Sequence, residues 1–381
     1  MGILISLCSL GLLGYSYFLF PFLMHFLGKK HRKSEAYHPP IAIVLSAYQE
    51  ADVIRQKLQS IKDQQYPKEK IHAWIASDGS TDGTSEIISE CCSGFSQYHA
   101  VLFAKRRGKP AVINELAARV SSHFGTESFI LLLTDADILF DPHLLTHIAE
   151  PFADLSTGLV DSRIIPKRLD DLGLSFTGEW YLQRETRLKE NEGNWDGLAM
   201  GASGGCYAIR PEYFRSVPNN YLVDDFYISF QVLLQGGKAF LNPRALCYEN
   251  IPPSLDVEMT RRRRIGAGNF QNLATFLPQL GRSSFRLSFV FISHKVIRWT
   301  GPLWLFIAGI GFLPVIFQNS FNFSLSILSC LLIWFAEKLP FPFSALRAIK
   351  FFLMLNFSLL FGFFDYIKGI RHNAWEPTRR F

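Results

Sequence analysis

The strongest constraint on this chain is an unbroken apolar run near its start. Residues 3–27 contain no charged side chain apart from the ionisable His25. As a helix, this run is long enough to cross the ~30 Å hydrocarbon core of a bilayer. It lacks the basic start and the small-residue cleavage site of a signal peptide. Four basic residues follow it, at Lys29, Lys30, Arg32 and Lys33. We therefore expect a signal anchor whose N-terminus is outside, with residue 29 onward in the cytosol.

The phenylalanines are concentrated in the two ends of the chain. Of the 35 Phe, 22 lie in residues 1–38 and 284–381, whereas 29 of the 33 Asp and Glu lie in residues 39–283. This segregation excludes a purely soluble globular protein, a disordered chain and a disulfide scaffold. It predicts a mixed-charge middle, long enough for one large α/β domain, between two membrane-associated flanks.

The C-terminal flank presents a conflict of topology. Three candidate spans occur near residues 301–318, 322–336 and 349–367. Three crossings from the cytosol would leave the tail outside, yet the tail is basic, which favours the cytosol. Its basic residues are Lys368, Arg371, Arg379 and Arg380. A re-entrant or interfacial segment among the three would remove the conflict. Residues 283–299 mix apolar and basic side chains, and they predict an amphipathic helix on the membrane surface.

The net charge of +6 arises mainly beside these membrane-like segments. It therefore indicates contact with membrane lipids, and no nucleic-acid partner is expected. The chain is predicted to comprise an N-terminal anchor with a basic linker, a cytosolic domain, an interfacial helix, and a region of two or three spans with a basic tail. Their bounds are 1–38, 39–282, 283–300 and 301–381.

The middle segment alternates apolar runs with helical stretches. Residues 41–47 form a continuous apolar run, which is typical of a strand buried on both faces of a parallel sheet. Further strands are predicted at 71–77, 99–104 and 129–134, and helices at 50–63 and 109–122. This order predicts an α/β fold with a doubly wound, mostly parallel sheet that binds ligands at the carboxyl ends of its strands.

Polar residues cluster at three of those strand ends, in residues 46–50, 78–82 and 135–137. Because parallel strands end at the same sheet edge, we expect the clusters to meet in one crevice. No G-x-G-x-x-G follows the first strand, and no G-x-x-x-x-G-K-[ST] occurs. The sequence therefore disfavours dinucleotide oxidoreductases and P-loop NTPases.

A D-x-D motif, formed by Asp135 and Asp137, follows the strand at 129–134. At a strand-to-loop bend both carboxylates can reach one cation. Their hard oxygens suit Mg²⁺ or Mn²⁺ shared with a substrate diphosphate. The alternative is a solvated turn, since D-x-D occurs often by chance.

Asp78 and Lys109 lie in loops after the second and third strands. The surrounding residues of Asp78 are mostly ordinary turn formers, and Asp78 itself is the one that we assign to a nucleotide base or ribose. Lys109 ends the run K-R-R-G-K. It either faces a phosphate or belongs to a solvated charge run.

Two later motifs, a glycine pair and an acidic pair, each have a functional and an ordinary structural interpretation. The Gly204–Gly205 pair permits close approach of a ligand to the backbone, but it also suits a plain turn. Asp224 and Asp225 begin a helical stretch, where acids are ordinarily capping residues. Adjacent carboxylates also raise one another's pKa, which suits a general base.

Four arginines, residues 261–264, precede the sequence I-G-A-G-N. On a helix Arg261 and Arg264 share a face, and guanidinium groups match the oxygens of a diphosphate. The alternative, favoured by this run alone, is a basic patch beside the membrane.

Taken in order, these motifs resemble those of the membrane-bound family-2 glycosyltransferases, which include cellulose, chitin, hyaluronan and poly-N-acetylglucosamine synthases. The resemblance covers roughly residues 39–300 and the membrane flanks. S-A-Y-Q-E is similar to the family's P-A-Y-N-E, S-D-G-S-T-D to D-D-G-S-T-D, and R-G-K-P to N-x-G-K. The D-x-D motif stands where the family also has D-x-D, and the glycine pair stands where it has its acceptor-side glycines. Asp224–Asp225 stands where the family has Glu-Asp, and R-R-R-R-I stands where it has Q-x-x-R-W.

The resemblance implies a GT-A-like fold and an inverting, metal-dependent transfer of a sugar from a nucleotide-sugar donor, commonly a UDP-sugar. It implies Asp225 as the catalytic base and Mg²⁺ or Mn²⁺ held by Asp135 and Asp137. Donor contacts are expected from Ala47, Tyr48, Glu50, Asp78, Lys109, Asp135, Arg261 and Arg264. The acceptor side is expected to contain Gly204, Gly205 and Asp224.

Two departures bear on the acceptor. Arg261 replaces the family's Gln, and Ile265 replaces a Trp that lies beside the acceptor. We therefore favour a membrane-associated lipid-linked or short glycan acceptor over processive polysaccharide synthesis. A further departure is Ser77 in place of the first Asp of D-D-G-S, which leaves the nucleotide contact mainly to Asp78.

Two interpretations of other classes remain. A catalytically silent, sugar-nucleotide-binding membrane partner would lose an acid at 135, 137 or 225, and all three are present. A transporter would need ionisable residues within its spans, and these flanks have almost none. The protein is expected to reside in the bacterial inner membrane with its catalytic domain in the cytosol.

Overall fold

A computed structural model describes residues 1–28, 36–167, 174–250, 255–335 and 344–370. The strands are β1 Ile41–Ala47, β2 Ile71–Asp78, β3 Tyr98–Phe103, β4 Ile130–Thr134, β5 Ile138–Phe140, β6 Thr157–Lys167, β7 Cys206–Ile209 and β8 Lys238–Asn250. The helices are α1 Gly2–Leu27, α2 Ala51–Lys62, α3 Thr84–Cys92, α4 Lys109–Phe124, α5 Leu144–Ala149, α6 Leu174–Asp196, α7 Asp224–Leu234, α8 Leu255–Phe276, α9 Phe285–Trp299, α10 Gly301–Ile316, α11 Ser320–Trp334 and α12 Ser344–Lys368.

The strands form one mixed sheet in the order β3-β2-β1-β4-β7-β6-β8-β5. β3, β2, β1 and β4 pair in parallel, and β6 pairs in parallel with β8. β7 runs antiparallel to both β4 and β6, and β5 runs antiparallel to β8. The predicted α/β fold with a doubly wound, mostly parallel sheet is confirmed.

Three of the first four strands, β1, β2 and β4, match apolar runs because they are buried on both faces, whereas β3 at the sheet edge is partly exposed. In β1, Ile41, Ile43 and Leu45 have no exposed surface. Such a strand cannot alternate polar and apolar side chains, so its sequence is a continuous apolar run. Its neighbours end at the same edge, where Ala47 pairs with Ser77 and Leu45 with Thr134. The polar clusters at 46–50, 78–82 and 135–137 therefore do follow adjacent parallel strands.

The antiparallel half of the sheet was not predicted from the sequence. β7 is a four-residue strand that ends at Ile209, just before the buried Arg210. The guanidinium of Arg210 donates to the carbonyl oxygens of Thr157 at 2.8 Å and Phe152 at 2.6 Å. An interior arginine bonded to carbonyls thus fixes the end of a strand too short to be detected by periodicity.

The chain divides into two compact units. The α/β unit contains Leu27–Arg168 and Thr186–Val257, and the helical unit contains Met1–Phe26, Leu169–Glu185 and Glu258–Gly369. The segment predicted as one domain at 39–282 contributes to both units, because most of α8 belongs to the helical one. The predicted domain bounds stay a prediction.

Small residues allow helices of the helical unit to approach closely. The hydroxyl of Ser6 in α1 donates to the carbonyl of Ala308 in α10 at 2.8 Å. A Cβ on Gly311 would lie 2.5 Å from the carbonyl oxygen of Gly2, and one on Gly362 would lie 2.6 Å from the amide nitrogen of Ala267. Glycine and serine contacts of this kind are typical of helices packed in membranes.

Two of the described helices are long and apolar enough to cross a membrane, Gly2–Leu27 and Ala345–Lys368. α9 and α10 together satisfy the same test, but they are bent by 62° at their junction, as in a broken span or a re-entrant loop. α11 is apolar but only 15 residues long. The helix predicted on the membrane surface at 283–299 therefore forms one arm of this bent pair. The basic residues at 29–33 and 371–380 lie outside the described residues.

Candidate active site

An ammonium group lies between two carboxylates at the carboxyl edge of the sheet. Lys109 Nζ is 2.7 Å from Asp135 Oδ1 and 3.7 Å from Asp224 Oδ2. Lys109 begins α4, Asp135 follows β4, and Asp224 begins α7. Burial works against the charge on Lys109, but Asp135 and Asp224 outweigh it and raise the pKa of the ammonium above its usual value. Three predicted site residues therefore meet in one place.

Asp78 shapes the loop that leads to Lys109. The carboxylate is almost fully buried and accepts hydrogen bonds from the amide of Arg107 at 2.7 Å and from that of Gly108 at 2.8 Å. Next to it, Gly79 has a φ of +71°, and a Cβ there would lie 2.6 Å from the amide nitrogen of Arg106. Asp78 thus orients the backbone of this loop, and its contact with a nucleotide stays a prediction.

The loop after β1 is joined to the loop after β2. The Gln49 amide donates to Ser80 Oγ at 3.2 Å, and the Glu50 amide donates to Thr84 Oγ1 at 2.9 Å. The ring of Tyr48 lies 3.7 Å beneath the guanidinium of Arg106, a close cation–π contact. Tyr48 and Glu50 therefore belong to a loop at the carboxyl edge of the sheet, whereas Ala47 is buried at the end of β1, and their contacts with a donor stay a prediction.

Asp225 lies against the glycine loop, which we define as residues 200–205. A Cβ on Gly204 would come 2.4 Å from Asp225 Oδ2, and Gly204 has a φ of +83°. The other carboxylate oxygen accepts the Phe226 amide at 2.7 Å. Burial, followed by repulsion from Asp224, raises the pKa of Asp225 to about 7, although Lys109 opposes the shift. A carboxylate with a pKa near neutrality suits a general base.

Asp135 and Asp137 are both half-buried, and Ala136 between them is buried. Among the described residues, no group of three or more His, Cys, Asp or Glu side chains could hold a metal ion. Mg²⁺ and Mn²⁺ sites of nucleotide enzymes commonly use one or two carboxylates, completed by phosphate oxygens and water. Lys109 shows that a cation is accommodated at Asp135. The two aspartates therefore fit a cation that is held jointly with a diphosphate.

A buried ion pair that the sequence analysis missed supports the glycine loop. Lys189 Nζ lies 2.7 Å from Asp161 Oδ2 and donates to the Gly201 carbonyl at 3.0 Å and to Ser203 Oγ at 2.8 Å. Asp161 accepts the amide and the hydroxyl of Ser203 at 3.1 and 2.8 Å. The detectable signal was the acid Asp161, which directly follows the apolar pair Leu159–Val160 in β6.

The glycine loop is also bonded to the D-x-D turn, which we define as residues 135–137. The carbonyl oxygen of Gly205 accepts the amide of Asp135 at 3.0 Å and the hydroxyl of Thr134 at 2.9 Å. A Cβ on Gly205 would lie 2.8 Å from the Ile138 side chain. Gly205 therefore joins the glycine loop to the D-x-D turn in two ways. Its carbonyl accepts both hydrogen bonds, and its lack of a side chain allows close packing against Ile138.

A small cleft beneath Lys109 contains an unsatisfied hydroxyl. Its polar lining includes Ser46, Lys109, Asp135, Tyr207 and Asp224. The Tyr207 hydroxyl is buried and has no hydrogen-bond partner within the described part of the chain. Burial, then the negative charge of Asp224, raises the pKa of this phenol, which keeps it a donor. The cleft therefore has an open donor next to the acidic groups.

Arg261 and Arg264 lie in α8, in the part of that helix that belongs to the helical unit. Within that unit, the neighbouring Arg263 forms a two-pronged ion pair with Asp365 of α12. The assignment of Arg261 and Arg264 to donor binding stays a prediction.

Two family models match this sequence. The model described as Glycosyl transferase family group 2 matches residues 130–339, more than half of the chain, and the model described as Glycosyl transferase family 2 matches residues 42–217. The chain belongs to the family-2 glycosyltransferases. The family predicted from the motifs is confirmed, and with it the prediction that the protein is an enzyme.

Curated relatives of this glycosyltransferase match it in part. A poly-beta-1,6-N-acetyl-D-glucosamine synthase of Staphylococcus epidermidis is 25% identical over 241 residues, which are 61% of this chain and 55% of that protein. A beta-monoglucosyldiacylglycerol synthase of Synechocystis sp. is 27% identical over 128 residues, which are 33% of this chain and 26% of that protein. The match to the polysaccharide synthase thus spans about half of that protein's length.

A solved structure matches nearly the whole glycosyltransferase. It is the mannosyltransferase PcManGT from Pyrobaculum calidifontis in complex with GDP-Man and Mn²⁺, with a TM-score of 0.74 and 18% identity. The match covers 95% of this chain and 99% of that chain. At this identity the likeness shows the fold, and it confirms the predicted GT-A-like architecture.

The close approach of Gly204 to Asp225 makes Gly204→Ala a sharp test of the site. The added methyl group must displace the carboxylate of Asp225, the predicted catalytic base, and misplacing a catalytic group by about 1 Å can cost ~10²-fold in rate. We expect turnover of the glycosyltransferase to fall by about that factor, as measured by release of nucleoside diphosphate.

Gly236→Ala is the matched control for this substitution. Gly236 has the same φ of +83°, but a Cβ added there would have no atom within 4 Å, so the variant carries the backbone strain without the clash. Equal losses in the two variants would show that strain, and not the position of Asp225, limits turnover.

The raised pKa of Asp225 makes the stability of the metal-free enzyme depend on pH. The folded state holds this proton up to about pH 7, whereas the unfolded chain releases it near pH 4. Ionisation of Asp225 therefore costs stability progressively as the pH rises from about 4 to 7, and the cost is constant above that range. Asp225→Asn should raise the melting temperature in EDTA most at pH 8 and least at pH 5. The exposed Glu212→Gln is the surface control, and a pH-independent difference for Asp225→Asn would contradict the assignment.

Proposed function

We propose that this glycosyltransferase moves a sugar, with inversion, from a UDP-sugar to a lipid-linked or short glycan acceptor at the membrane. The observation that carries the proposal is the placement of Asp225, a carboxylate with a pKa of about 7, beside the pair formed by Lys109 and Asp135. A base and a cation-binding group close together are what a single displacement on a nucleotide sugar requires.

In the proposed reaction Asp225 takes the proton of the acceptor hydroxyl. The acceptor oxygen attacks the anomeric carbon as the bond from that carbon to the diphosphate breaks, so the configuration inverts. A well-placed base supplies on the order of 10²–10⁴-fold in rate. Asp224 helps to keep the pKa of Asp225 near neutrality, which balances basicity against ionisation at physiological pH.

Negative charge accumulates on the departing nucleoside diphosphate. Lys109 supplies a fixed positive charge at this edge of the sheet, and Asp135 and Asp137 would hold Mg²⁺ or Mn²⁺. When bound, such a cation stabilises the charge on the diphosphate oxygens. Mn²⁺ is present in the structure of the mannosyltransferase of the same fold, which supports a divalent cofactor here.

The membrane helices support an acceptor that is associated with the bilayer. The Synechocystis relative is named for the synthesis of a glucosyl lipid, and the staphylococcal relative for the synthesis of a polysaccharide. The second name favours processive polymer synthesis as the alternative. We prefer a single transfer because Arg261 and Ile265 replace the Gln and Trp of the family motif.

The assay that tests the proposal uses full-length protein in detergent with added membrane lipid. UDP-N-acetylglucosamine, UDP-glucose and GDP-mannose are supplied in turn, with and without Mn²⁺. We expect one UDP-sugar to be turned over with Mn²⁺ only, giving a lipid-extractable product. A high-molecular-weight product would instead favour the polysaccharide synthase. Asp225→Asn should abolish transfer and retain UDP binding. Absence of turnover with every donor would favour a silent, nucleotide-binding membrane partner.

We also propose that the protein is integral to the bacterial inner membrane, with its N-terminus outside and its α/β unit in the cytosol. The length and apolar character of α1 and the basic residues after it support this orientation. An N-terminal epitope tag should be removed by protease added to spheroplasts. A cysteine introduced at the exposed Ser96 should react with an impermeant maleimide only after lysis. Labelling of that cysteine in intact spheroplasts would reverse the orientation.

A further inference from the structure

Lys57 of α2 lies entirely inside the α/β unit, with no exposed surface. Its ammonium donates to Thr134 Oγ1 at 2.8 Å and to the Ile138 carbonyl at 2.6 Å. The same group lies 3.5 Å from the centre of the Phe140 ring. No carboxylate among the described residues forms an ion pair with it. Lys57 is therefore a buried amine whose two hydrogen-bond partners are neutral groups.

The two hydrogen-bond partners of Lys57 flank the D-x-D turn. Thr134 immediately precedes Asp135, and Ile138 immediately follows Asp137. The Thr134 hydroxyl in turn donates a hydrogen bond to the Gly205 carbonyl at 2.9 Å, which extends the hydrogen-bonded chain to the glycine loop. One ammonium group thus joins both ends of the turn and, through Thr134, the glycine loop.

Burying a lysine at this position costs folding free energy. Burial lowers the pKa of Lys57 to about 7, which reflects the penalty for a desolvated ammonium. An apolar side chain of similar length would fill the same space without that penalty, and it would lose only the two hydrogen bonds. Packing alone therefore does not account for Lys57, whereas its bonds to both ends of one functional turn do.

We propose that Lys57 is a positioning residue that holds Asp135 and Asp137 in the geometry needed to bind a divalent cation together with a nucleoside diphosphate. The inference rests on the proposed function, because it concerns the same cation site. A site with only two protein carboxylates depends strongly on how accurately they are placed, since metal sites tolerate errors of only about 0.5 Å. Lys57 acts on these two carboxylates through the backbone.

The test is the Lys57→Met variant of the full-length protein in detergent. This substitution keeps the length of the aliphatic part of the side chain and removes the ammonium group. Binding of Mn²⁺ in the presence of UDP is followed by the loss of the free Mn²⁺ signal in electron paramagnetic resonance. We expect the dissociation constant for Mn²⁺ to rise by roughly 10–100-fold, the range typical of lost outer-shell support in metal sites. The melting temperature is recorded as well, because the variant loses both a desolvation penalty and two hydrogen bonds, which change stability in opposite directions.

Lys62→Met is the matched control on the same helix. The Lys62 ammonium donates to the Cys91 carbonyl at 2.8 Å and lies 4.2 Å from the centre of the Phe95 ring, so it makes the same kinds of contact elsewhere. This variant should bind Mn²⁺ as the wild type does. Thr134→Val is a second variant that removes the hydroxyl acceptor. Combined with Lys57→Met, it should weaken Mn²⁺ binding by less than the product of the two single effects.

Wild-type affinity for Mn²⁺ in Lys57→Met would overturn the inference. A smaller number of Mn²⁺ sites per protein, each with wild-type affinity, would also overturn the inference, because that pattern indicates only that part of the sample is misfolded. Wild-type protein that takes up no Mn²⁺ with UDP present also overturns it. Wild-type protein that binds Mn²⁺ and UDP but transfers no sugar overturns the proposed function alone.

Discussion

The contact between Lys109 and its two acidic neighbours is the interaction around which the α/β unit is organised. Asp135 and Asp224 come from elements far apart in sequence, and their charges would repel one another without a cation between them. The loops on either side are held by backbone hydrogen bonds to buried carboxylates, Asp78 on one side and Asp161 on the other. The acidic surface is thus assembled on a rigid frame.

The sequence predicted the parallel half of the fold well, for a physical reason. β1, β2 and β4 are buried on both faces, so each is an apolar run that ends in polar residues at a shared edge. The antiparallel half could not be found in the same way. β7 has four residues, and β8 pairs with both β5 and β6, a relationship that no local pattern contains.

The site was predicted to a similar extent. Residues recognised by chemical type, Lys109, Asp135, Asp224 and Asp225, do come together. Residues that act by supporting them were missed, because Lys57 and Lys189 look like ordinary surface lysines in helices rich in polar residues. Burial of a lysine depends on the tertiary packing around it, which the spacing of residues along a helix does not reveal.

The hydrogen bonds at the Gly205 carbonyl have a consequence for how this enzyme can change. These bonds couple the position of the D-x-D turn to that of the glycine loop, although the two segments are about seventy residues apart in sequence. A loop exchanged with that of a relative would pull on Asp135 as well. With the proposed roles, in which the D-x-D turn contacts the donor and the glycine loop the acceptor, a change in the preference for one substrate would also affect the other. An exchange of the glycine loop should therefore include residues 134–138 together with residues 200–205.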